Sequence, residues 1–233
     1  STGEFQPRGI AVDAANAFFL SFNNTGMLRR VPIGGGTTQT VFAVTWGEHL
    51  AIDGNNVYWP DESSGTSTVD EAPKAGGTIT NVATGQKFPF GIALDATNVY
   101  WTSDGSMGGV YAAPKAGGAT RTVLAPVSVA YDLAVYASQV FVTSSGSGTV
   151  LKVPSAGGTA TTLASGESGP FAIAADADGV YWTDQGNNTV RMLATGSTTP
   201  TTLSTAASTV EFITTDSIAV YWTTTTAVMR MTK

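Results

Sequence analysis

The stretch IAADADGVYWTD (residues 173–184) decides the fold, because it recurs along the chain. A short apolar segment runs into Asp, three turn residues follow, and an apolar–aromatic segment comes next. The Asp column reads Asp13, Asp53, Asp95, Tyr136, Asp176 and Asp216, at intervals of 40, 42, 41, 40 and 40 residues. Four residues after each of these the chain reads AFF (17–19), VYW (57–59), VYW (99–101), VFV (140–142), VYW (180–182) and VYW (220–222). Four of the five tryptophans, Trp59, Trp101, Trp182 and Trp222, therefore share one column. Spacing this regular marks internal repetition.

The second half of each unit repeats as well. LRRVPIGGG (28–36), VDEAPKAGG (69–77), VYAAPKAGG (110–118) and VLKVPSAGG (150–158) are one element; VRMLATGS (190–197) is a degraded copy and VMRMTK (228–233) a sixth. A Thr-rich apolar segment follows the first five: TTQTVFA (37–43), TITNVAT (78–84), ATRTVLA (119–125), TATTLAS (159–165) and TPTTLST (199–205). Each unit thus holds four short runs rich in Val, Ile, Thr and aromatics, separated by turn residues. No stretch carries a sustained helical period. Four antiparallel strands repeated at this interval predict an all-β, six-bladed β-propeller in one domain, residues 1–233, with units near 9–46, 47–88, 89–127, 128–168, 169–208 and 209–233. A lone four-stranded sheet has two apolar faces, so blades must stack to bury them. The innermost strand lies where space is least, which matches the small column Ala11, Ala51, Ala93, Ala134, Ala174 and Thr214. The bulkier neighbours Ile10, Leu50, Ile92, Leu133, Ile173 and Ile213 are expected to pack between blades. Since Lys233 follows a third strand and Ser1 falls where a fourth would finish, either the last blade has three strands or the chain is a piece of a longer one, and the sixth blade is expected to have the least hydrogen-exchange protection.

Composition narrows the function classes. The 233 residues are 42% hydrophobic, enough for a core, but only 12% charged. A net charge of −6 lacks the clustered Lys and Arg that a nucleic-acid face needs. No apolar run is long enough to span a bilayer, and residues 1–9 hold no signal-peptide stretch. Zero cysteines remove disulfides, thiol nucleophiles and Cys metal sites. A surface polar through Thr, Ser, Gly and Asn points to a secreted, cell-surface or periplasmic protein.

VYWTD (180–184) resembles the motif of the YWTD propellers, and more loosely the NHL-like bacterial six-bladed repeats, over essentially the whole chain. The resemblance implies a propeller, but members of this class serve as receptors, scaffolds, lactonases and lyases. It implies that the motif's Asp ties neighbouring blades and that the aromatic pair packs within its blade. Asp184 and Asp61 match that acid; Ser21, Ser103, Ser144 and Thr224 replace it elsewhere.

In a propeller the residues that begin the inner strands ring the mouth of the channel. Alignment places Arg8, Glu48, Phe90, Tyr131, Phe171 and Glu211 in a first ring, followed by Gly9, His49, Gly91, Asp132, Ala172 and Phe212. These positions vary from unit to unit while the Ala column does not. The candidate ligand-binding set is Arg8, Trp46, Glu48, His49, Phe90, Tyr131, Asp132, Phe171 and Glu211. Aromatic faces stack on the C–H surface of a small polar ligand such as a sugar, and carboxylates accept its hydroxyls. His49 is the single histidine, which excludes a multi-His metal site. Glu48 and His49 form a formal acid–base pair, but adjacent strand residues point apart. No G-x-S-x-G elbow is present. The Asp column opens tight turns, and P-x-x-G-G joins strands three and four without a phosphate loop's context. Residues 47–73 carry Glu48, Asp53, Asp61, Glu62, Asp70 and Glu71 with no Lys or Arg, as in a solvated acidic edge.

The expected function is a non-enzymatic binding or scaffold propeller of an exported bacterial protein, a monomer taking a small polar ligand or a protein at the channel mouth. One alternative is a Ca²⁺-dependent lactonase- or lyase-like hydrolase, with the ion held by Glu48, Asp132 and Glu211. The other is a structural unit of a larger surface protein.

Overall fold

The computed structural model describes residues 6–23, 25–62, 67–104, 108–115 and 122–233. Residues 1–5, 24, 63–66, 105–107 and 116–121, the last covering part of the third P-x-x-G-G motif and the start of its Thr-rich segment, lie outside that set. The described residues form 23 strands and no helix, in six antiparallel sheets. The first sheet runs β1 (Pro7–Val12), β2 (Asn16–Asn23), β3 (Thr25–Pro32), β4 (Gln39–Val44), and the second β5 (Ala51–Ile52), β6 (Asn56–Asp61), β7 (Ser67–Pro73), β8 (Thr80–Gln86). The third holds β9 (Pro89–Leu94), β10 (Asn98–Ser103), β11 (Gly109–Pro114) and β12 (Thr122–Pro126). The fourth holds β13 (Ala130–Tyr136), β14 (Gln139–Ser144), β15 (Thr149–Pro154) and β16 (Thr161–Ser165). The fifth holds β17 (Pro170–Ala175), β18 (Gly179–Asp184), β19 (Thr189–Ala194) and β20 (Thr201–Thr205). The sixth has three strands: β21 (Val210–Thr215), β22 (Ala219–Thr224) and β23 (Val228–Thr232). This is the expected six-bladed β-propeller with a three-stranded last blade.

Contacts divide the chain into two compact units, Ser1–Trp101 with Ala112–Thr122, and Thr102–Tyr111 with Val123–Lys233. In the first, Trp59 joins Phe18, Leu20, Phe22 and Leu28 of the preceding blade. In the second, Trp182 packs with Phe141 and Val150 of the blade before it, while Tyr181 packs with Val210 and Trp222 of the blade after it. The aromatic pair therefore does not pack within its blade, as the resemblance implied. Adjacent strand residues face opposite sides of the sheet, so Tyr and Trp serve two different interfaces. Leu50, Ile92, Leu133 and Ile173 are buried as expected, but Ile10 is 68% exposed.

The indole N–H groups show what each interface needs. Trp101 Nε1 donates to Gln86 Oε1 at 2.9 Å, and Trp182 Nε1 to Glu167 Oε2 at 3.0 Å, each acceptor fifteen residues upstream. The same offset from Trp59 and Trp222 reaches Val44 and Ala207, which have no acceptor. The Nε1 atoms of Trp59 and Trp222 are buried without a hydrogen-bond partner among the described residues.

The Asp turns work as the sequence indicates. Asp13 Oδ1 accepts from the N–H groups of Ala15 and Asn16, and Asp53, Asp95, Asp176 and Asp216 repeat the pattern. The fourth unit, with Tyr136 in this column, turns through Ala137 and Ser138 at φ of 47° and 59°, the left-handed pair of a two-residue hairpin. The second carboxylate oxygen has a further use. Lys74 Nζ sits 2.7 Å from Asp13 Oδ2 and 5.8 Å from the Phe18 ring centroid. Lys115 stands in the same relation to Asp53 and Tyr58, and Lys233 to Asp176 and Tyr181. Each Lys thus reaches from the end of a third strand to the Asp turn and aromatic of the preceding blade. Lys74 and the N–H groups of Ala15 and Asn16 hold the Asp13 carboxyl at about 2. Burial pushes Asp53 up, but the Asn56 and Asn55 N–H groups, the Tyr58 hydroxyl and Lys115 outweigh it and bring the carboxyl to about 2.

Candidate functional site

At the other end of the inner strands, the β1–β2, β13–β14, β17–β18 and β21–β22 ladders all lose register where the candidate residues lie. In the second unit the ladder skips Tyr131–Asp132, Phe171–Ala172 and Glu211–Phe212. A bulge of this kind leaves backbone groups without a ladder partner. The Thr of the YWTD column supplies one. Thr183 Oγ1 accepts from Ala172 N–H at 3.0 Å and donates to the Glu211 carbonyl of the following blade at 2.7 Å. Thr143 Oγ1 accepts from Asp132 N–H at 3.2 Å and donates to the Phe171 carbonyl at 2.5 Å. Thr102 Oγ1 donates to the Tyr131 carbonyl at 2.6 Å, and Thr223 Oγ1 accepts from Phe212 N–H at 3.1 Å. Three first-ring residues, Tyr131, Phe171 and Glu211, are therefore held by the hydroxyl of the blade before them. The column reads Leu20 and Pro60 in the first two units, where no hydroxyl exists.

The motif's acid adds a second connection. Asp61 Oδ2 accepts from Thr45 N–H at 3.3 Å and Asp184 Oδ2 from Ser168 N–H at 3.0 Å, each in the loop leaving the preceding blade. Ser144 makes the connection with reversed polarity, donating Oγ–H to the Ser128 carbonyl. Thr224 instead accepts from Ala227 N–H and closes its own turn.

In the first unit, Arg8 pairs with Glu48, and its guanidinium carbon lies 5.2 Å from the Trp46 ring centroid. Trp46 leans on Phe22 at 4.9 Å. His49 meets Phe90 edge-on at 4.5 Å. Glu48 thus turns to the blade before it and His49 to the blade after it, so the two form no acid–base pair. Gly9, at φ +42°, lets β1 approach this group: a Cβ there would stand 2.7 Å from the Glu48 carbonyl oxygen. In the second unit, Tyr131 and Phe171 have ring centroids 4.1 Å apart, and Phe171 and Phe212 6.0 Å apart. Phe212 is 38% exposed and continues the row that the sequence assigned to Glu211. Two neighbouring aromatic columns were the signal for it, but the bulge decides which residue takes the place.

Asp132 has a structural role beside the expected one. Its Oδ1 accepts from Leu133 N–H at 2.8 Å and its Oδ2 from Ile173 N–H in the following blade at 3.0 Å. The carboxylate expected to receive a ligand's hydroxyl or Ca²⁺ thus also clasps backbone in two blades. Among the described residues no group of three or more His, Asp or Glu side chains could hold a metal ion. The acids of residues 47–73 are likewise engaged: Asn81 Nδ2 donates to Asp70 Oδ1 at 2.7 Å and Asn56 Nδ2 to Glu71 Oε2 at 3.3 Å. Burial pushes the Glu62 and Asp70 carboxyls up.

No helix among the described residues is long and apolar enough to cross a membrane. No family model and no curated protein matches the chain. Solved structures do. A chain of a nidogen/laminin complex is similar with 22% identity and a TM-score of 0.74, over 92% of this chain and 89% of that one. A protein of unknown function from Bacteroides thetaiotaomicron shares 17% identity with a TM-score of 0.71, over 100% of this chain and 70% of that one. The computationally designed Ika8 protein shares 14% with a TM-score of 0.67, over 99% and 72%. At such identities the likeness establishes the fold, a β-propeller.

Proposed function

We propose that this chain is a non-enzymatic binding propeller of the YWTD type, exported and monomeric, that holds a small polar ligand where its inner strands begin. The observation that carries this reading is the row Tyr131, Phe171 and Phe212, whose backbone is fixed by the Thr102, Thr143 and Thr223 hydroxyls. Rings held this firmly present a preorganised apolar surface, so little freedom is lost when the C–H face of a sugar stacks on them. Arg8, Glu48 and Trp46 supply polar and aromatic contacts of the same kind in the first unit. The VYWTD segment and the Asp61 and Asp184 connections support the YWTD assignment, and a Thr- and Ser-rich surface supports export. A glycan array is the test. Hits lost in Tyr131→Ala and Phe212→Ala support the reading; hits that survive both overturn it. A blank array overturns the carbohydrate class and turns the search to a protein occupying the same face.

A further inference from the structure

Two residues ahead of the first ring, the six units carry Gln6, Trp46, Phe88, Val129, Gly169 and Thr209. Four of these lead the chain into its inner strand through left-handed backbone, at φ of 41° for Gln6, 46° for Phe88, 50° for Val129 and 74° for Gly169. Glycine adopts that conformation freely, whereas a Cβ crowds the neighbouring carbonyl, and a bulky or β-branched side chain is the least suited to it. Strain of this kind persists only where something offsets it. For Val129 the offset is packing: its Cγ2 lies over Gly146, where an added Cβ would stand 2.6 Å away. Gln6 is exposed and polar, so its side chain wets no apolar surface.

Phe88 has no such offset within the fold. It is 63% exposed, and no aromatic ring or cation among the described residues packs on it. Trp46, the aromatic in the same column one blade earlier, is engaged by both Phe22 and Arg8. A wetted phenyl ring on left-handed backbone is unfavourable twice over, and glycine, which the fifth unit uses here, would remove both penalties. The offset for Phe88 therefore lies in what the ring touches from outside. We infer that Phe88 is a ligand-contacting residue, a stacking platform in the first compact unit for the C–H face of a neutral pyranose. The inference rests on the carbohydrate reading above and adds a residue outside the candidate set. Phe88 enters β9 two residues before Phe90, which holds His49 edge-on at 4.5 Å, so the platform stands at the strand end that carries the variable residues. An unpaired phenyl ring offers no charge and no hydrogen bond, which selects a partner by its C–H surface.

The test uses the full chain, an array of neutral glycans and two variants. Phe88→Gly removes the ring and relieves the backbone. Its Tm should hold or rise by up to about 4 °C, while affinity for the strongest glycan on the array falls about tenfold with the loss of one stacked ring. Phe88→Tyr keeps the ring and should bind as the parent does. A Phe88→Gly variant that binds like the parent overturns the inference. A Tm lowered by several degrees also overturns it, because Phe88 would then be a packing residue. The carbohydrate reading fails in a different way, through a parent that binds no glycan, and the inference then falls with it. Hits lost in Phe88→Gly but kept in Tyr131→Ala and Phe212→Ala uphold Phe88 and overturn the row in the second unit.

Discussion

Lys115 Nζ stands 3.3 Å from Asp53 Oδ2 and 5.8 Å from the Tyr58 ring centroid, joining the end of β11 to the first turn of the preceding blade. The contact combines an ion pair with a cation over an aromatic face, and both partners are largely withdrawn from solvent. Lys115→Met keeps the aliphatic stem and removes both attractions. A loss of about 1 kcal/mol is expected, or about 2–4 °C in Tm. A double-mutant cycle with Asp53→Asn, measured by urea unfolding, should return a coupling of similar size, and additivity would reject the contact as a stabilising one.

Acid should act through the same turns. The Asp13, Asp53 and Asp95 carboxyls sit at about 2, below the roughly 4 of an unfolded chain. A depressed carboxyl stabilises the fold fully above its unfolded value, and that contribution disappears as pH falls through the folded value. Stability should therefore decline from near pH 4–5 towards pH 2. Glu62 and Asp70, raised by burial, oppose this trend because their protonation favours the folded state. Side-chain carboxyl titrations by NMR check the assignment: Asp13 should move up in Lys74→Met while Asp95 stays in place.

The unpaired indoles offer a gain in stability. Ala207 is exposed and stands where Glu167 serves Trp182. Ala207→Gln should place an acceptor on Trp222 Nε1 and raise stability by about 1 kcal/mol. Removing the acceptor, as in Gln86→Leu, leaves Trp101 N–H buried and unpaired, at a cost of about 1–3 kcal/mol. Differential scanning calorimetry of the two variants should show Tm shifts of opposite sign.

Thr183→Val keeps the side-chain shape and deletes the hydroxyl that joins Ala172 N–H to the Glu211 carbonyl. The expected cost is about 1–3 kcal/mol, with hydrogen exchange accelerated at Ala172 and in β21. Equal exchange rates in the variant and the parent would show that the hydroxyl does not hold the following blade.

Asp132→Asn separates a backbone clasp from a ligand contact. Losing the charge weakens two charge-assisted hydrogen bonds, so Tm should fall by a few degrees. Glycan hits should persist in this variant while Tyr131→Ala removes them. The reverse pattern would return Asp132 to the ligand.

Much of the fold was legible because it is periodic. The Asp column marked every first turn, including the exception at Tyr136, whose hairpin needs Ala137 and Ser138 at positive φ in place of an Asp side chain. The Trp column marked the buried second strands, and the ending at Lys233 matched the three-stranded sixth sheet. The candidate site was legible in its location but not in its contacts. Glu211 and Phe212 are neighbours in sequence, and only the bulge in β21 brings Phe212 beside Phe171. Asp132 looked like the carboxylates around it until its bonds to Leu133 and Ile173 were seen.

Repetition by itself determined the number of blades, their strand order and the end of each blade that carries the variable residues, since apolar alternation and turn chemistry are local. The tertiary structure alone decided which blade each side chain serves. Lys115 finds Asp53, Thr183 finds Glu211, and Tyr181 and Trp182 face opposite neighbours. Such choices follow from sheet alternation, bulges and the way blades stack, and these bring together residues from separate units that no spacing along the chain connects.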